Sequence, residues 1–202
     1  VLEFYPEYTV KRGEKTIQHV TIRDMLTMSA PYKYKSNPYT KNFTSTDWVK
    51  FSLDVLGGKG QIGAFRSAPL IGPDLLTGIL TKVTGQSVLD FARENLFDAL
   101  GITVEESVTF RDKEEQMAFY KATDMRVWVA DPTGVNAGGW GLTLSPTDMA
   151  KIGEIIRSGG TYGGVRLVSE KWVRESTSEH TRWAERDFPY GYLWWILEEE
   201  HG

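Results

Sequence analysis

Between Gly72 and Gly101 the apolar positions fall into two helical stripes. Leu75, Leu76, Ile79, Leu80 and Val83 recur at spacings of three and four, and Pro73 suits the first helical position, where its missing N–H is not needed. Gly85 stops this helix. Ser87 with Asp90 three positions on makes a capping-box-like start, a good cap contributing about 1 kcal/mol. Val88, Phe91, Ala92 and Leu96 then carry a second apolar face to Gly101. The pair predicts an αα-hairpin, and the other elements are placed relative to it.

Upstream, Thr21 to Asp24 opens a short helix with Ile22, Met25 and Leu26 inward, closed near Ser29-Ala-Pro31. Residues 32–45 mix aromatics, turn formers and lysine, the composition of an ordered surface loop beside a cleft. Thr46 or Asp47 caps a helix whose Trp48, Phe51, Val55 and Leu56 form a stripe ended by Gly57-Gly58. Residues 59–72 are the least regular stretch, a loop feeding a helix N-terminus, and any chemistry from this half is expected there.

Downstream of Gly101 the pattern weakens. Residues 103–121 read as mixed loop with a short helix or strand, and Met125 to Val129 alternates like a short strand before the Asp131-Pro-Thr-Gly134 turn. Residues 136–141 surround one tryptophan with glycines, which let the backbone approach a neighbour or a ligand closely. Ser145-Pro-Thr-Asp148 has the cap, the early proline and the acid of a helix start, and Met149, Ile152, Ile155 and Ile156 run to the Gly159-Gly160 stop. Ser169 caps another helix with Trp172 and Val173 inward. Residues 189–197 are apolar on both alternating faces, as in a central strand, with Trp194 and Trp195 as core, although no sheet partner is evident in the chain.

Composition narrows the function classes. A chain of 202 residues can bury one sizeable core, so a single unit over 1–202 is expected, mostly helical over 20–160. Acids number 27 against 23 bases, interspersed, which gives no basic stripe for a phosphate backbone, and nucleic acid is not an expected partner. No apolar run approaches the ~20 residues that span a bilayer. There is no cysteine, and His19, His180 and His201 lie far apart, so neither a metal nor another cofactor is expected. Compartment stays open among the periplasm, exterior and cytoplasm of a bacterium, as does oligomeric state. Both ends, at Val1 and Gly202, read as cut.

Several segments follow one another in a recognisable order. They are Phe4-Tyr-Pro-Glu-Tyr8, Val20-Thr-Ile-Arg-Asp-Met-Leu-Thr-Met-Ser29, Leu75-Leu-Thr-Gly-Ile-Leu80, Val83-Thr-Gly-Gln-Ser-Val-Leu-Asp-Phe91, Leu96-Phe-Asp-Ala-Leu-Gly-Ile102, Ala137 to Met149 and Gly191-Tyr-Leu-Trp-Trp195. This series resembles the middle portion of the serine β-lactamase and penicillin-binding-protein superfamily, on the class C-like branch with DD-peptidases, esterases and amide hydrolases. The resemblance implies a mainly α fold class: the helical domain and flanking segments of a β-lactamase-like α/β plus all-α serine hydrolase. In that fold residues 189–197 are a strand of the α/β sheet.

The implied chemistry is acyl transfer. A serine in S-x-x-K attacks a carbonyl, the lysine and a tyrosine in a Y-x-N or Y-x-S element manage the proton, and a K-T-G-like or H-x-G-like strand binds substrate. No serine of this chain has lysine three positions on. By the order the resemblance implies, that motif belongs before Val1 and the substrate strand after Gly202. Where the resemblance suggests Phe-x-Tyr the chain has Phe65-Arg66-Ser67, so Ser67 stands at the tyrosine place, and no tyrosine lies between Tyr39 and Tyr120. Ser67 is thus the catalytic-position candidate, with Arg66, Asn136, Gly139 and Trp140 as candidate substrate-binding residues. A bland account gives Ser67 as a loop hydroxyl and Trp140 as a packing plug. Three functions follow: a serine hydrolase of an amide or ester, inactive as this chain alone; a non-catalytic relative binding peptide or glycan in the retained cleft; or a structural fragment completed by another chain.

Overall fold

The computed structural model describes residues 1–197. Helices dominate: α1 (Ile22–Leu26), α2 (Tyr39–Phe43), α3 (Trp48–Val55), α4 (Ile71–Thr84), α5 (Val88–Ala92), α6 (Asp98–Leu100), α7 (Lys113–Lys121), α8 (Pro146–Arg157) and α9 (Glu170–Ser176). A π-helical turn over Arg93–Phe97 joins α5 to α6, so the second helix of the hairpin runs through to Leu100, where Gly101 stops it with φ 59°. The strands form two-stranded sheets. β1 (Glu106–Val108) and β2 (Val127–Val129) are parallel, β3 (Thr161–Tyr162) pairs antiparallel with β4 (Val165–Arg166), and β5 (Thr181–Trp183) with β6 (Phe188–Tyr190). Among the described residues no helix is long and apolar enough to cross a membrane.

The cap chemistry acts as the pattern implies. Thr21 and Asp24 form a full capping box, and the Ser87, Ser145 and Ser169 hydroxyls accept from the amides of Asp90, Asp148 and Trp172. Gly85 ends α4 with φ 69°. The helix starts two residues before Pro73, at Ile71, because Asp74 N–H already reaches the Leu70 carbonyl at 2.8 Å.

The main core gathers Ile17, Met25, Leu56, Ile71, Leu75 and Ile79. Complete burial of side chains of this size is worth about 1.5–3 kcal/mol each. A second core joins Leu89, Phe97 and Leu100 to Ile155 of α8, and a third joins Trp48 to Val129 and Ala137. The buried face of α3 is Trp48, Val49, Ser52 and Leu53, turned from the expected stripe so that Phe51 and Val55 are only half-buried.

Three expectations are corrected. Residues 39–43 form a helix inside the stretch read as loop, since Asn42 is drawn into the core by a polar partner described below. Trp172 is exposed. The apolar run over 189–197 is not one strand: β6 ends at Tyr190, Leu193 takes φ 60° while its N–H bonds the Leu26 carbonyl, and the chain turns back so that Tyr190 bridges Trp195. Its sheet partner is β5, and Trp194 and Trp195 are exposed rather than core. His201, read as a strand-end residue, lies outside the described residues.

Candidate functional site

The loop feeding α4 is pinned at several points. Gly63 N–H bonds Ser29 O at 3.0 Å and Arg66 N–H bonds Met28 O at 2.6 Å, while the buried Ala68 anchors its far end. The Arg66 guanidinium donates to Tyr34 O and lies 5.1 Å over the Tyr34 ring, so this cation is used in holding the loop. Ser67, between these anchors, is exposed. Phe65 packs into an aromatic surface with Trp183 at 6.2 Å, Tyr190 at 5.5 Å and Trp195 at 5.7 Å between ring centroids.

The glycine-rich loop comes to the same place from the other side. A Cβ on Gly139 would lie 1.8 Å from the Pro69 carbonyl oxygen, and one on Gly138 2.2 Å from that of Pro73. Only glycine permits this seating, because contacts under 3.0 Å force a backbone to move. Asn136 is 1 % exposed, its Oδ1 accepting from Leu89 N–H at 3.2 Å and its Nδ2 donating to Ser107 Oγ at 2.8 Å. It is a weld between α5, β1 and the loop, and no face of it is open to a ligand.

Trp140 is half-buried in an aromatic cluster, 5.0 Å from Phe43, 5.8 Å from Trp48 and 6.3 Å from Phe110. These four rings, with Thr109 and Arg111, wall an open cavity of about 670 Å³. The indole N–H groups of Trp48 and Trp140 are both buried without a protein partner. An aromatic wall with polar groups at its rim suits a small molecule with an apolar body. Of the candidates read from sequence, the structure therefore brings Gly139 against the Ser67 loop and Trp140 into the cavity wall, and leaves Arg66 and Asn136 as supports.

Two buried carboxylates carry no sequence reading beyond the place of Asp131 in a turn. Asp74, 2 % exposed, accepts from Gly138 N–H at 3.0 Å and from Asn42 Nδ2 at 3.2 Å. Burial pushes its carboxyl up to about 6, helped by the Asp131 charge and opposed by the bonds from Gly138, Asn42 and Gly139. Asp131, fully buried, accepts from Trp48 N–H, Val135 N–H and both the N–H and hydroxyl of Thr133. The only signal available was a Pro-Asp pair at a helix start and an Asp-Pro turn, both common where nothing is buried. Burial pushes Tyr32 and Tyr34, beside the loop, above the usual phenol range. No cluster of metal-ligating side chains occurs among the described residues.

Comparison with known proteins finds a family model, described as beta-lactamase, that matches residues 2–201. The 6-aminohexanoate-dimer hydrolase of Paenarthrobacter ureafaciens is 25% identical over 159 residues, 74% of this chain and 35% of that protein. A penicillin-binding protein homologue from Caulobacter crescentus superposes with a TM-score of 0.63 at 16% identity, covering 99% of this chain and 60% of that one. A family VIII carboxylesterase does so with a TM-score of 0.62 at 19% identity, covering 98% and 60%. The chain spans about a third of the curated relative's length and about 60% of each of these solved structures.

Proposed function

The chain belongs to the beta-lactamase family, within the serine β-lactamase and penicillin-binding-protein superfamily, and from that premise we propose that it is the mainly helical part of a serine hydrolase that cleaves an amide or ester by acyl transfer. A β-lactam, a D-Ala peptide or a small ester is the substrate class. The observation that carries the reading is the meeting of two loops: Gly139 rests on the Pro69 carbonyl, which seats the loop that carries Trp140 against the loop bearing Ser67.

Acyl transfer needs a nucleophile, a proton manager and oxyanion donors. With no S-x-x-K in the 202 residues, the nucleophile and the substrate strand are assigned to the share of the relatives' length that this chain does not span. Loss of one member of such a unit costs several powers of ten in rate, so these residues alone give no turnover. Ser67, whose hydroxyl is a poor proton acceptor, serves as an exposed polar group of its loop. Residues 188–197 are assigned to the rim of the sheet layer, which would cover Trp194, Trp195 and Leu197, all exposed in this chain.

A full-length protein labelled with a fluorophosphonate and a fluorescent penicillin tests this by mass mapping of the adduct. The expected adduct lies outside residues 1–202; one on any serine within them overturns the assignment. Ser67→Tyr in the same protein should raise turnover of a chromogenic ester, and no gain would mean that the tyrosine place lies elsewhere in the loop.

A second reading, binding of a peptide or glycan without turnover, draws on the missing tyrosine and on the aromatic cavity walled by Trp48 and Trp140. It predicts saturable quenching of tryptophan fluorescence by such ligands and no ester hydrolysis by the full-length protein.

A further inference from the structure

The loop that carries Trp140 is seated on a buried carboxyl. Asp74 lies in the first turn of α4, and its two oxygens take donors from two other segments, Gly138 N–H from the glycine loop and Asn42 Nδ2 from α2. Asn42 is itself fully buried, and its Oδ1 has no partner. Nothing about a helix start requires this, since a first-turn acid is ordinarily solvated.

We propose that Asp74 is a positioning residue for the 136–141 loop, and that docking of this loop is linked to a proton, firm when Asp74 is protonated and loosened when it ionises and draws water. For its bearing on ligands the proposal rests on the reading of the Trp140 cavity as the binding cleft; the linkage itself is a statement about the loop. The physical reason is solvation. Three donors, from Gly138, Gly139 and Asn42, favour the ionised form, yet burial outweighs them. The charged group facing the site is Asp131, from the turn after β2, whose negative charge adds to the penalty; Asn42 from α2 is neutral, and Asp74 is the only ionisable residue in the first turn of α4. Asn42 fits both states. Its Nδ2 donates to the carboxylate, and its orphaned Oδ1 can accept from the protonated acid after a half-turn of the amide.

The direction follows from linkage. Docking holds the carboxyl's proton affinity near pH 6, above that of a water-exposed aspartate. The contribution to docking is therefore complete below the free carboxyl's range of ~4 and is lost as pH rises through about 6, on the order of a hundredfold in the docking equilibrium.

The test uses the full-length protein between pH 4.5 and 8. Protection of the Gly138 amide, corrected for intrinsic exchange chemistry, and Trp140 fluorescence, taken as wild type minus Trp140→Phe, report loop docking without any need for turnover. Both should change with pH, protection falling by roughly 25-fold between pH 4.5 and the docked carboxyl's pKa of about 6 and levelling off above it. Asp74→Asn should flatten the profile and keep the loop protected at pH 8. Asn42→Ala, which removes a donor to the ionised form, should keep the transition and move its midpoint upward. A flat wild-type profile, or Asp74→Asn titrating like wild type, overturns the proposal; should Asp74→Asn fail to fold, an unmoved midpoint in Asn42→Ala does so. Because neither readout involves catalysis, a failed hydrolase assignment would leave these results as they are.

Discussion

Ser67 and Asn136 differ most in what their surroundings ask of them. Ser67 is exposed, so Ser67→Ala should change stability by no more than about 0.5 kcal/mol. Asn136→Ala strands the buried Leu89 N–H and takes the partner from Ser107 Oγ, and should cost roughly 2–3 kcal/mol. Urea unfolding of the two variants side by side checks both values. Gly138→Ala is a steric question of the same scale. Its Cβ would meet a backbone oxygen of α4, which cannot swing aside like a side chain, so a loss of about 1–3 kcal/mol is expected together with a shift in Trp140 fluorescence. A variant as stable as wild type would mean that the loop is not seated on the helix.

Among the elements, the helices are the best specified because their end signals are local. Ser145 has its cap bond to Asp148 N–H at 3.1 Å and Pro146 behind it, so α8 starts where the four-residue pattern puts it. Ser145→Ala should lower stability by about 1 kcal/mol in thermal or chemical unfolding, and Ser145→Asp should restore most of it. The short strands behave otherwise. β6 was legible as apolar but not as three residues long, since its end is set by Leu193, whose N–H is taken by the Leu26 carbonyl across the molecule. A φ of 60° at a leucine is not written into leucine's own preferences.

At the scale of the whole molecule, the aromatic surface of Phe65, Trp183, Tyr190 and Trp195, with the exposed Trp194 next to it in sequence, is the feature with most consequence. Trp194, Trp195 and Leu197 are 39, 46 and 67 % exposed, large apolar side chains within four positions of the chain, such as mark an interaction surface when they are contiguous. Expressed as residues 1–202 alone, the chain should bind a hydrophobic dye and self-associate in sedimentation, while the full-length protein should do neither. A monodisperse, dye-silent fragment would remove the argument that another layer covers this face.

The sequence by itself determined the helix hairpin, the caps of α1, α5, α8 and α9 and the family, because each depends on residues a turn or less apart or on segments in linear order. It also marked Ser67 and Trp140 as positions of interest. Only the tertiary structure decided that Asn136 is a weld, that Arg66 is occupied with Tyr34, and that Asp74 and Asp131 are buried. The reason is physical: a carboxylate or an amide carries the same local signal in water or in a core, and its role is fixed by donors such as Gly138 N–H and Trp48 N–H, which arrive from 64 and 83 residues away.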